Sequence, residues 1–172
     1  RSDVIADILF TEHRPDSAFD PDAWGGGAVL LGTTMIYGAA KTPFVRLAKK
    51  PRKGDATIWL ATPVAGWQPG DLLYLPDSRQ LRPNKPRDSQ RDYAHVKLIS
   101  DDGSIVTLET PLVFDHPGWK NRVGEVNLLP HVANLTRNVV FRVGHDQAHV
   151  IFHDHCTVDI NHVRFEHLGR TR

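Results

Sequence analysis

Apolar residues in this chain come in short runs, adjacent or two apart, and nowhere recur at helical spacing over a useful length. Val4 to Phe10 is the first run, and Val29 to Tyr37 is the second, broken at Gly32 and ended by Gly38. Phe44 to Leu47 reads as a short strand. In Ala56 to Leu60, alternation sets Ala56, Ile58 and Leu60 on one side of a strand and Thr57 and Trp59 on the other. Leu72 to Leu75 is a further strand. His95 to Ile99 and Ile105 to Glu109 flank the turn Ser100 to Ser104, the clearest hairpin pattern in the chain. Gly-Asp precedes a strand at 54–55 and again at 70–71, as expected of two edges of one small barrel or sandwich. The pattern predicts an all-β fold.

The last third is patterned differently. Val139 to Phe141, Val150 to Phe152, Val158 with Ile160, and Val163 with Phe165 form closely spaced β-type groups. The phrase opening at Asn138 restarts at Asn161, about 23 residues on. A strand–turn–strand phrase repeated at such spacing predicts stacked coils of a parallel solenoid. The expected organisation is a lead-in over 1–27, a small β-rich domain over 28–133, and the first coils of a right-handed parallel β-helix over 134–172. Asn138 and Asn161 are expected at its turns. With no capped end visible, the chain is expected to be part of a longer one.

Charge narrows the function classes. Lys and Arg total 21 against 20 Asp and Glu, a net charge of +1, which argues against coating a nucleic acid. Cations do gather locally at Lys49 to Lys53, and the polar, proline-rich stretch 76–91 is expected as a long excursion. No apolar run is long enough to span a bilayer, and no leader peptide is visible. The glycines at 25–27 lack the Gly-Lys-Ser/Thr sequel of a phosphate loop. The single cysteine, Cys156, excludes an intramolecular disulfide and is expected as a small buried side chain. Trp67, before Pro69 and Gly70, is expected to cap a core rather than stack on a sugar.

In order and spacing, several phrases resemble the G-eight domain and the β-helix that follows it. These are Gly54-Asp55, Trp67 with Gly70 to Leu73, Leu108 to Leu112, Asn134 to Val140, and the tail from His149 to Thr171. The resemblance covers roughly 28–172, and the tail is similar to large exported bacterial members. It implies an extracellular or cell-surface protein directed at a polysaccharide, in the manner of animal hyaluronan-degrading proteins. Fibrocystin-like relatives are not known as enzymes, so catalysis does not follow from the domain alone.

Six of the ten histidines fall between His145 and His167. In an unbroken strand His149, His153 and His155 would share a face and, with Asp154 or Asp159, would suit zinc or another transition ion. Glycoside hydrolysis asks instead for two carboxylates, about 5 to 9.5 Å apart; Asp154, Asp159 and Glu166 are the candidates, with His153 to move protons. His162, Arg164 and Glu166 should point outward together, and Arg164, His162 and Arg170 are the expected contacts to an acidic glycan. The expectation is therefore binding, and cleavage if the carboxylates converge, of an acidic polysaccharide. A non-catalytic adhesion module and a metal-dependent enzyme are the alternatives. His13, His95, His116 and His145 carry less weight, and the Asn134 to Thr136 sequon is a weak match.

Overall fold

The computed structural model describes residues 4–11, 18, 25–79, 88–121, 123–124, 126–144 and 148–169. His13, Trp24, His145, Arg170 and the middle of the 76–91 excursion lie outside them. Among the described residues there is no helix. Fifteen strands follow in order. The first three are β1 (Ala6–Phe10), β2 (Gly27–Leu30) and β3 (Thr33–Tyr37). Next come β4 (Phe44–Arg46), β5 (Thr57–Trp59), β6 (Leu72–Leu75) and β7 (Asp92–Ile99). Then β8 (Ile105–Leu108), β9 (Trp119–Lys120), β10 (Val126–Leu128) and β11 (His131–Asn134). The last four are β12 (Val139–Val143), β13 (His149–Phe152), β14 (Thr157–Asn161) and β15 (Val163–Glu166).

The chain forms two compact units, 40–136 and the pair of segments 1–39 with 137–172. In the second of these every strand pairing among the described residues is parallel. β1 pairs β12, which pairs β15; β2 pairs β13; β3 pairs β14. These are coils of a parallel solenoid, as the repeated phrase predicts, with Val139 opposite Val163, a step of 24 residues. The first coil, however, is the amino-terminal segment. The boundaries expected at 27/28 and 133/134 give way to a coil of β1 to β3 stacked on one of β12 to β14, with 40–136 inserted between them in sequence. Periodicity did not reveal this because Ala6 pairs Val139 across the whole insertion. Inside the coil Phe10, Phe141 and Phe165 form an aromatic stack, with ring centroids 6.5 and 5.2 Å apart.

The inserted unit is built on a six-stranded antiparallel sheet in the order β4-β11-β6-β7-β8-β5, with β9 and β10 paired separately. Its edges meet: Leu47 bridges Leu60, Ala48 N–H donates to the Trp59 carbonyl, and Ala61 N–H to that of Arg46. The sheet thus closes on itself as a small barrel, which leaves no sticky edge. Alternation fills the interior with Leu47, Ile58, Leu73, Leu75, Val96, Val106, Leu108 and Val132, all at or below 1–2 % exposure, each worth about 2 kcal/mol when withdrawn from water. Trp67 is buried and donates its indole N–H to the Thr42 carbonyl at 2.7 Å, the capping role its position suggested.

Candidate functional site

The outer face of β3 and β14 gathers chemistry. Alternation buries part of Thr34, Ile36 and Ile160 and turns Thr33, Met35 and Tyr37 outward beside Thr157, Asp159 and Asn161, their register partners. The Tyr37 ring is 55 % exposed. Its hydroxyl donates a short hydrogen bond to Asp159, which also accepts the Asn161 amide at 2.6 Å. The bond to the carboxylate raises the Tyr37 pKa, so its phenol stays protonated across the neutral range. An exposed aromatic ring, a carboxylate, an amide and two threonine hydroxyls therefore share one flat surface. Asp159 faces outward because it alternates with the part-buried Ile160 beside it. Tyr37 was not singled out, because its partner lies 122 residues away and nothing local marks it.

The outer face of β1, β12 and β15 carries alternating charge. Arg142 grips Asp7 through both carboxylate oxygens, at 2.6 to 3.1 Å, and this guanidinium lowers the Asp7 pKa. On the next coil Arg164 pairs with Glu166, two residues along the same strand face. Arg164 and Glu166 do project together as expected, but toward each other.

His162 does not join them. It sits at the bend between β14 and β15 with φ 56°, and its carbonyl meets the backbone of Gly38, where any Cβ would come within 2.1 Å of that oxygen.

The histidines do not converge. The strand ends at Phe152; Cys156 N–H closes a turn onto the His153 carbonyl at 3.0 Å, and His155 adopts φ 63°. A turn breaks the alternation on which the shared face of His153 and His155 depended. Asp154 and His155 project into solvent, their side chains 81 % and 91 % exposed, and pair with each other at 3.2 Å. His149 is instead buried, its ring against Gly27. Among the described residues no group of three or more His, Cys, Asp or Glu could hold a metal ion. Cys156 is half-buried, its sulfur 3.5 Å from the Thr34 hydroxyl.

The candidate carboxylates are likewise dispersed: Asp154 on the turn, Asp159 on the β3–β14 face and Glu166 on the β1–β12–β15 sheet.

No protein-family model matches the chain, and no curated protein matches it, so the G-eight resemblance has no family match beside it. Solved structures similar to this chain at low identity include three phage tailspikes. The tailspike gp49 of Pseudomonas phage LKA1 has 14 % identity over 85 % of this chain, TM-score 0.44. The tailspike gp61 of Pseudomonas phage phi297 has 13 % over 95 %, TM-score 0.41. The Gp54 tailspike of Acinetobacter baumannii bacteriophage AP22, solved with a capsular saccharide of that bacterium, has 11 % over 94 %, TM-score 0.41. The chain spans 22–24 % of the length of these proteins.

Proposed function

We propose that this is a polysaccharide-binding protein working outside the cell, and that the outer face of β3 and β14 is where its coil holds sugar. The observation that carries the reading is the exposed Tyr37 ring joined through its hydroxyl to Asp159, which also accepts the Asn161 amide. Sugars offer an apolar ring face and a rim of hydroxyls. A surface suited to them sets a flat aromatic beside a few fixed polar groups. Asp159 accepts two hydrogen bonds from its neighbours, and a carboxylate has about four lone-pair sites, so it retains capacity for sugar hydroxyls. Thr33 and Thr157, one register pair, extend the polar rim.

Binding, rather than cleavage, is what this face supports. Hydrolysis needs a second carboxylate across the scissile bond, and Glu166 belongs to another sheet and is held by Arg164. The adhesion alternative therefore fits the same surface.

Titration of the purified chain with a panel of neutral and acidic polysaccharides tests the reading. Tyr37→Ala and Asp159→Asn should each weaken binding about tenfold, the scale of losing a central aromatic or a charge-assisted contact. Undiminished binding in both variants would sink it.

A further inference from the structure

Among the described residues of the coil, Arg142 and Arg164 already hold carboxylates, so an acidic glycan would find better-placed cations elsewhere. The barrel supplies them. We propose a second polysaccharide site, selective for uronate-bearing chains, on the outer face of β4, β11, β6 and β7. It stands independently of the coil face.

The register builds a row straight across four strands: Phe44 opposite Ala133, Ala133 opposite Tyr74, Tyr74 opposite Tyr93. At the usual strand spacing the row is about 14 Å long, the reach of a short oligosaccharide. Phe44 is 60 % exposed and Tyr93 53 %. Tyr74 is half-buried between them, its ring 5.1 Å from that of Tyr93. The solvent side of an antiparallel sheet is ordinarily polar. A registered line of aromatic side chains there marks a contact surface rather than scattered exposure.

Charge decides the occupant. Arg46 follows Phe44 on the same side of β4, opposite His131, whose ring meets Phe44 edge-on at 5.8 Å. At the other end the Arg91 guanidinium lies 5.8 Å from the Tyr93 ring, with His95 and Lys97 exposed further along β7. No outward position of these four strands is Asp or Glu. Their one carboxylate, Asp92, is turned inward, where it takes the His116 ring at 2.9 Å and the N–H groups of Val113 and Phe114. Arginine recognises carboxylates through paired, directional hydrogen bonds. A few arginines flanking an aromatic row therefore match the spaced carboxylates of a uronate polymer. A polynucleotide, charged at every unit, calls for a denser basic groove than a chain of net charge +1 provides here.

The test is titration of the full chain with hyaluronate and polygalacturonate, against neutral dextran and oligo-deoxythymidine. Uronate polymers should bind, more weakly as salt rises, and dextran should bind at least tenfold less tightly. Phe44→Ala and Tyr93→Ala should each cost about tenfold. Arg46→Gln and Arg91→Gln, exposed changes that leave the aromatic row intact, should cost a similar factor for uronates alone. Equal binding of dextran, tighter binding of the oligonucleotide, or unchanged uronate affinity in all four variants overturns the proposal. A loss confined to Tyr37→Ala and Asp159→Asn overturns it too while leaving the coil reading in place; the converse pattern does the reverse.

Discussion

At the scale of single residues, the barrel is held by a polar centre. Asp71 is 1 % exposed, yet its carboxylate is fully engaged: Lys41 pairs with it, the Asn134 amide donates at 2.7 Å and Gln68 N–H at 3.0 Å. Asn134 in turn accepts Thr136 N–H at 2.9 Å. A buried charge is tolerable only when paired and hydrogen-bonded, and stripping one partner costs about 3–5 kcal/mol. Lys41→Met should therefore lower the unfolding free energy of the barrel by about that amount in urea titrations, whereas Lys97→Met, exposed on β7, should change it little. A loss from Lys41→Met no larger than that from Lys97→Met would refute the network's role. The sequence marked Asp71, through its recurring Gly-Asp phrase, but not its partners. Lys41 lies 30 residues before it and Asn134 63 after, and no local signal links a lysine to a carboxylate at such distances. Tyr37 with Asp159 is the same case at the candidate site. Outward parity is a local property, so Asp159 could be read; pairing is not.

Strands and turns were legible wherever alternation or repetition spoke, and misleading where a turn interrupted them. The hairpin of β7 and β8 stands where His95 to Glu109 placed it, and the aromatic positions 141 and 165 of the repeat do stack. The shared face of His149, His153 and His155 depended on an unbroken strand; the strand ends at Phe152, and the turn after it takes His155 into a left-handed backbone that no pattern of apolar residues announces. Closeness between coils was equally silent. A Cβ at Gly27 would lie 2.2 Å from the His149 carbonyl and 2.9 Å from its ring, and backbone oxygen cannot give way. Gly27→Ala should thus part β2 from β13 and lower the melting temperature of the coil. Gly32→Ala, where a Cβ meets nothing within 4 Å, should cost only the strain of its positive φ. Amide hydrogen exchange at Ile151 and at His153, whose N–H donates to the Leu30 carbonyl, separates the two: faster exchange in Gly27→Ala alone is the expected result, and equal exchange in both would count against the close approach.

Over the whole chain, the insertion is explained by how each unit closes its own break. In the coil, Asn138 accepts Ala39 N–H at 2.6 Å and donates to the Val4 carbonyl at 2.9 Å, so one side chain stitches together segments that sequence holds far apart. In the barrel, β4 and β11 are antiparallel neighbours, and Asn134 N–H donates to the Pro43 carbonyl at 2.9 Å, so the chain enters and leaves side by side. Such a unit needs nothing outside itself to set its ends, and its buried apolar cluster from Val45 to Val132 is wholly its own. The coil is leaner: among its described residues only Phe141 and Ala148 are buried hydrophobics, while Phe152, Val158 and Phe165 are 39–42 % exposed. A solenoid gains stability from each neighbouring coil, so few coils leave it weak. The segment 40–136, expressed alone, should consequently fold to a β-rich state and unfold in one cooperative step. The full chain should show two, the earlier reported by amide exchange of the coil strands β12 to β14 and the later by that of the barrel strands β6 to β8. A non-cooperative 40–136, or a single coincident transition by both probes, would mean that the barrel borrows its stability from the coil.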